Sequence, residues 1–158
     1  MKARILGAVA ATAILLSPTL SAAQAQDSWI GTWRLNPSKS TSAPNSPYKR
    51  VTSKIESWEG GLKVVYDMVG TRGGITHLEW NGRFDGKDYP VQGADEAMTN
   101  AYNRIDDRTY NIAIKRDGQM SATARVTVSS DGRTLTAVTT GKNAQGQNLS
   151  TTVVYDRL

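Results

Sequence analysis

Residues 119–129, Gln-Met-Ser-Ala-Thr-Ala-Arg-Val-Thr-Val-Ser, alternate in polarity without a break. Met120, Ala122, Ala124, Val126 and Val128 fall on one face of an extended chain, and Gln119, Ser121, Thr123, Arg125 and Thr127 on the other. A period of two is that of a strand with one face in a core and one in water. Asp117-Gly118 precedes this strand and Asp131-Gly132 follows it. Both dipeptides supply the positive φ angles that tight hairpins need.

The same pattern extends in both directions. Tyr110, Ile112 and Ile114 alternate with Thr109, Asn111, Ala113 and Lys115, and Leu62, Val64, Tyr66 and Met68 alternate with Lys63 and Asp67. Further reversals are signalled at Glu59-Gly60-Gly61, Gly73-Gly74, Asp85-Gly86 and residues 143–147. The spacing predicts strands over 29–35, 49–58, 62–69, 75–84, 88–92, 98–105, 108–116, 119–129, 133–141 and 147–157. An open meander of this kind leaves two unpaired edges, and closure removes them. The expected fold is therefore all-β, a single antiparallel up-and-down barrel of about 8–10 strands. A two-sheet sandwich competes, but its crossings need longer connections than most of these turns. Two stretches stand outside the meander. Residues 36–48, with three prolines, form a long polar connection, and residues 93–103 admit a short helical turn at Asp95-Glu96-Ala97.

With 158 residues the chain has the length of one domain, and with no Cys it excludes disulfides, thiolate metal sites and a cysteine nucleophile. Residues 1–25 read as a cleaved signal peptide: Lys2 and Arg4, an apolar run from Ile5 to Leu16, and Ala23-Gln24-Ala25 as the peptidase site. The run is too short to span a bilayer and Pro18 interrupts it, so a periplasmic or secreted domain over 26–158 is expected, with no stable membrane insertion. Removing Lys2 and Arg4 takes the formal net charge from +5 to +3. The remaining Lys and Arg are scattered, with at most two adjacent and no aromatic-interleaved stripe, so nucleic acid is not an expected partner.

Groups for chemistry are few. The single histidine, His77, has Glu79 two residues on along the same strand face, a pairing that serves acid–base work or two metal ligands. Without a second His or a Cys it more readily describes a solvent-facing pair, and an enzyme or a heme or metal barrel using His77 is the remote alternative. Asp95-Glu96 and Asp106-Asp107 fall at turns, where solvation or, for Asp106-Asp107, an Asx-type reversal accounts for them, with calcium binding or general acid–base work the remote alternative. No Gly-x-Ser-x-Gly is present, and the Gly70–Gly74 loop precedes no helix that would hold phosphate. No catalytic residue, metal or cofactor is expected.

An interior cavity is easier to argue. Ala122 and Ala124 are small inward residues that leave room inside a barrel of this size. The candidate lining is Tyr66, Met68, Leu78, Trp80, Tyr102, Ile112, Ile114, Met120, Ala122, Ala124, Leu135 and Tyr155. The same residues would serve as a solid core, so a ligandless structural or interaction protein stands beside a binding module for a small, mostly apolar molecule.

Ile30-Gly31-Thr32-Trp33 near the start and Val153-Val154-Tyr155-Asp156-Arg157 near the end carry a resemblance. The chain resembles the calycin superfamily of lipocalins, fatty-acid-binding proteins and avidins. There a Gly-x-Trp closes the barrel base and a late basic side chain lies over the indole. The resemblance implies that Gly31, Trp33 and Arg157 close this barrel, with Arg125 the other candidate for the cation. GTWRLNPSKS, FDGKDYPVQG, RIDDRTY, SSDGRTLT, NAQGQ and VVYDR together look like small secreted bacterial lipocalin-like proteins. Fatty-acid-binding proteins anchor a carboxylate with Arg-x-Tyr on the last strand. Here Val153 precedes Tyr155, so a neutral amphiphile is expected in place of a fatty acid.

Overall fold

The computed structural model describes residues 27–41, 48–142 and 145–158. The expected signal peptide, residues 42–47 of the polar connection and residues 143–144 of the last reversal lie outside the described residues. Ten strands form: β1 (Gly31–Leu35), β2 (Tyr48–Trp58), β3 (Gly61–Gly70), β4 (Ile75–Arg83), β5 (Tyr89–Gln92), β6 (Met98–Arg104), β7 (Thr109–Arg116), β8 (Gln119–Val128), β9 (Thr134–Lys142) and β10 (Asn148–Arg157). Each hydrogen-bonds its sequence neighbours, and β1 pairs with β10, giving a closed antiparallel barrel. The sandwich alternative is thereby excluded. At the β7–β8 reversal Asp117 and Gly118 both take positive φ, 47° and 74°, as a two-residue hairpin whose twist matches its strands requires.

Two local expectations are corrected. Trp29 and Ile30 do not belong to β1; they lie in a turn closed by Ile30 N–H donating to the Asp27 carbonyl at 3.0 Å. No helical turn forms at 95–97, where the chain makes bends before entering β6. The polar connection begins with a one-turn 3₁₀ helix, Pro37–Lys39, capped by the Asn36 side chain accepting from Ser38 N–H and Lys39 N–H. The segment then follows the edge of β10: Asn36 N–H and Thr41 N–H donate to the Val154 and Thr152 carbonyls, both at 2.8 Å. The Ser40 and Thr41 hydroxyls accept from Val154 N–H and Thr152 N–H. This replaces strand pairing that β1, only five residues long, does not supply.

The lower half of the barrel is filled. Trp33 is fully buried, and the Arg157 guanidinium lies over its ring at 4.1 Å from the centroid. Arg157 also donates to three main-chain carbonyls: Gly132 at 2.6 Å, Ile30 at 2.8 Å, and Ser28. Gly31 adopts φ +144°, and a Cβ there would stand 2.5 Å from the Arg157 Nη1, so only glycine leaves room for the clamp. The Trp33 indole N–H donates to the Trp29 carbonyl at 2.8 Å. Trp29, also fully buried, meets Tyr110 edge-on at 5.2 Å and Phe84 at 5.7 Å. The Asp27 carboxylate bonds Arg104, whose guanidinium covers the outer side of Trp29 at 5.1 Å.

Replacing Trp33 with Ala is expected to remove about 3–5 kcal/mol through loss of transfer energy and cavity formation, lowering Tm by on the order of 10–20 °C. Arg157→Ala loses one cation–π contact and the donors to three carbonyls, and is expected to cost about 2–3 kcal/mol. Arg157→Lys recovers little of this, because an ammonium lacks the planar fork. Thermal melts of the three variants check the ordering.

Candidate functional site

Above this filled base the barrel opens into a cavity of about 360 Å³. Its walls come from nine strands, all but β5: Leu35, Tyr48, Val51, Tyr66, Met68, Leu78, Asn100, Tyr102, Ile112, Ile114, Ala124, Val126, Ala137, Thr139, Val153 and Tyr155. Of the residues named from sequence, Tyr66, Met68, Leu78, Tyr102, Ile112, Ile114, Ala124 and Tyr155 come together on this wall. No charged side chain lines it among the described residues. Val153, at the place where the resemblance would put an arginine, faces the cavity.

Four other expected lining residues are placed elsewhere. Trp80 is buried behind Tyr102, stacked on it at 3.7 Å with an interplanar angle of 12°, and its indole N–H donates to the Asn100 carbonyl at 3.2 Å. Leu135 lies in the core beside Val128 and Tyr155, its strand partners. Met120 is 59% exposed, because the pairing of β7 with β8 shifts register between Ile114 and Lys115. Ser121 is the extra residue, and it carries Met120 onto the side of Lys115, across from it. Ala122 stands opposite Ile114 and Gly141 at the rim and, with Met120, borders an outer groove. Arg125 is exposed and faces outward, so the cation over Trp33 is Arg157. Trp29 is the closure residue that the sequence reading placed only as a strand start; a second Trp four residues before Trp33 was its signal.

The phenols of Tyr66, Tyr102, Tyr110 and Tyr155 converge beneath and around the cavity. Tyr110 stacks under Tyr102 at 5.2 Å. Burial pushes all four pKa values up, with mutual repulsion between the would-be phenolates adding to the rise at Tyr102, Tyr110 and Tyr155. At Tyr66 the neighbouring Ser53 hydroxyl offsets part of the rise. Ser53, across from Tyr66 in β2, is itself 3% exposed and makes no hydrogen bond of normal geometry.

The cavity wall continues into a recess beside β4. That strand pairs with β3 from Ile75 to Arg83, but with β5 only at Glu79↔Gln92 and Trp80↔Val91. Where β5 departs, a recess of about 240 Å³ is bounded by Tyr48, Met68 and Leu78 of the cavity wall together with Thr76, residues 93–96, Met98 and Arg116. Arg116 and Glu96 form an ion pair at its rim, 3.1 Å apart.

The other titratable groups are engaged in surface or turn interactions. His77 Nδ1 stands 2.8 Å from Asp67 Oδ1 on the outside of the barrel, both residues more than half exposed. Glu79 bonds Lys63 and Asn81, whose hydrogen bonds, led by that of Lys63, hold its carboxyl below the usual range. Asp106 accepts from Arg108 N–H at 2.8 Å, the Asx reversal expected there, and this bond lowers its pKa. Glu96 of the acidic pair Asp95-Glu96 is the partner of Arg116.

With this geometry in place, the comparison with solved structures is informative about the fold. The zebrafish ileal bile-acid-binding protein complexed with cholic acid is similar with a TM-score of 0.52, covering 83% of this chain and 99% of that one at 9% identity. The chain thus has the calycin fold. No family model matches it, and no curated protein does.

Raised phenol pKa values carry a pH consequence. Above pH 10 the unfolded chain has released phenol protons that the folded chain still holds, so stability falls as pH rises. In an absorbance titration at 295 nm, Tyr66, Tyr102, Tyr110 and Tyr155 are expected to ionise late and together with loss of the near-ultraviolet circular dichroism signal. Ionisation of these four with an ordinary midpoint in the folded barrel would contradict their burial.

Proposed function

We propose that this barrel is a periplasmic or secreted binding module that holds one small, mostly apolar, uncharged molecule in its upper cavity, and that it is not an enzyme. The observation that carries the reading is a cavity walled by many strands without a single charged side chain among the described residues. Its volume, about 360 Å³, is at the lower end of the range of small-molecule sites. A carboxylate buried there would have no cationic partner and would keep a desolvation penalty of several kcal/mol. Tyr66, Tyr102 and Tyr155 offer hydroxyl tips on apolar rings, which orient a neutral group without having to neutralise it. The bile-acid complex of the similar zebrafish protein adds support for a ligand-carrying role of the fold, while Val153 in the cavity wall argues for a neutral ligand here. The export reading rests on the sequence of residues 1–25.

Displacement of the neutral fluorophore N-phenyl-1-naphthylamine by 1-decanol and by decanoic acid at neutral pH tests the polarity. The alcohol is expected to bind at least about tenfold tighter, equivalent to roughly 1.4 kcal/mol. Val153→Arg, which places a cation in the wall, is expected to reverse the order. Tighter binding of the acid by the parent protein would overturn the neutral-ligand reading. For export, N-terminal sequencing of protein from the cell envelope or medium of its host is expected to begin at Gln26; an intact Met1 on soluble protein inside the cell would refute it.

A further inference from the structure

We infer that the cavity wall carries a hydrogen-bonding subsite at Asn100, with the Ser53 hydroxyl below it, that receives a ligand group able both to donate and to accept: a hydroxyl or a primary carboxamide. This rests on the binding role proposed above and specifies which end of the ligand enters first.

Asn100 occupies an inward position of β6, two residues from Tyr102 and across from Ile114. An apolar side chain would continue the pattern of that wall. Instead the Asn100 Oδ1 is buried with no hydrogen-bond partner, in a residue that lines the cavity. Such an atom destabilises the empty barrel, because its water contacts are lost without replacement. The other unpartnered buried side-chain atoms among the described residues are Trp29 Nε1, Ser53 Oγ, Asn81 Oδ1 and Asn111 Oδ1. Trp29 is sealed in the base, whereas Asn81 and Asn111 lie one position out of phase with the inward residues Trp80 and Ile112. Ser53 is different. It lies on the inward face of β2, two residues below Val51 and across from Tyr66, both of which line the cavity. The residue is 3% exposed, and its hydroxyl, beside the Tyr66 phenol, makes no hydrogen bond of normal geometry. Asn100 thus presents its amide on the cavity wall, and Ser53 lies one layer below that wall, next to Tyr66.

The chemistry of these groups restricts what answers them. An amide offers an acceptor and two donors whichever way it is turned, and a hydroxyl offers one donor and two acceptors. A group that only accepts, such as an ether oxygen, leaves the Asn100 oxygen unanswered. A carboxylate meets no cation on this wall. An ammonium meets no carboxylate, and both faces of the Tyr102 ring are already covered, by Trp80 at 3.7 Å and Tyr110 at 5.2 Å. A hydroxyl or carboxamide on a short apolar body is what remains.

The test compares 1-decanol with its isomer methyl nonyl ether, and with decylamine, by displacement of N-phenyl-1-naphthylamine from the parent, Asn100→Leu, Asn100→Ala and Ser53→Ala proteins. In the parent the alcohol is expected to bind about tenfold tighter than the ether and tighter than the amine. In Asn100→Leu the alcohol/ether ratio is expected to fall to about twofold or less with ether affinity retained. Asn100→Ala provides the same reading should the leucine variant not fold, and Ser53→Ala is expected to reduce the ratio by a smaller factor. Asn100→Leu is also expected to raise the melting temperature of the unliganded barrel, since it removes an unanswered polar group. Equal affinities for alcohol and ether in the parent, a ratio unchanged by both Asn100 substitutions, or a preference for the amine would overturn the subsite while leaving the barrel a binding protein. Failure of the fluorophore and every ligand to bind would overturn the binding role itself, and the subsite with it.

Discussion

The seam between β1 and β10 is the constraint on which the barrel depends, and the Arg157 clamp is what secures it. Apart from the long connection between β1 and β2, the ten strands follow one another through short reversals, whereas this closure brings together the first strand and the last. There the strands register at only three positions, Trp33↔Arg157, Arg34↔Asp156 and Leu35↔Tyr155, against a continuous run from Asn148 to Asp156 between β10 and β9. Main-chain pairing is thin at the place where loop-closure entropy is greatest. The side chains make up the difference. Arg157 joins β10 to the turn before β1 and to the β8–β9 reversal at Gly132, and Asp156 accepts from Asn36 and Lys39. Those hydrogen bonds, Asn36 first, also keep the Asp156 carboxyl below its ordinary range, so the contact retains its charge further into acid than a free aspartate would.

Size decides which end of the barrel is solid. Around the base, four large rings, Trp29, Trp33, Tyr110 and Phe84, occupy the width between strands. Higher up, the inward positions of β7 to β9 are Ile112, Ile114, Ala124, Ala137 and Thr139, and the space is not filled. A barrel of this strand number is wide enough that its interior must be packed with large side chains or remain hollow. This chain does one at each end, and the stacked pair Trp80–Tyr102 is the boundary between them. The clamp and the cavity are thus connected by packing: the aromatic layer that Arg157 and Trp33 support is also the floor on which a ligand would rest.

Alternation along the strands made the topology legible, since Asp-Gly pairs fix the hairpins and period two fixes the faces; the strand ends lie within two residues of those read from the sequence. What alternation cannot encode is height along the barrel axis, which depends on strand tilt and stagger. Trp80 and Leu135 face inward as read, but they sit at the level of the packed layer rather than the cavity. Met120 failed for another reason. A single inserted residue, Ser121, reverses the face of everything before it, and the run Ser121-Ala122 carries no glycine or proline to announce the bulge. Trp29 was hidden by a coincidence of spacing, since four residues from Trp33 is compatible with one strand face and equally with a turn folded under the barrel. The polar members of the site were also concealed. Ser53 and Asn100 read as ordinary strand residues until burial and the lack of partners distinguish them.

Three joints in this barrel are short of main-chain pairing, β1–β10, β4–β5 and β5–β6, and the first two are treated in opposite ways. At β1–β10 the deficit is covered by a cation–π contact, carbonyl bonds and the 36–41 segment. At β4–β5, with two registered pairs, the exposed first half of β4 is left facing a recess continuous with the cavity wall through Tyr48, Met68 and Leu78. Opening the first joint would dismantle the aromatic layer, whereas widening the second disturbs few backbone hydrogen bonds and one exposed ion pair, Arg116–Glu96. The low-cost route between solvent and cavity therefore runs past β4. It is the end of the barrel farthest from Trp33 that can open without loosening the fold.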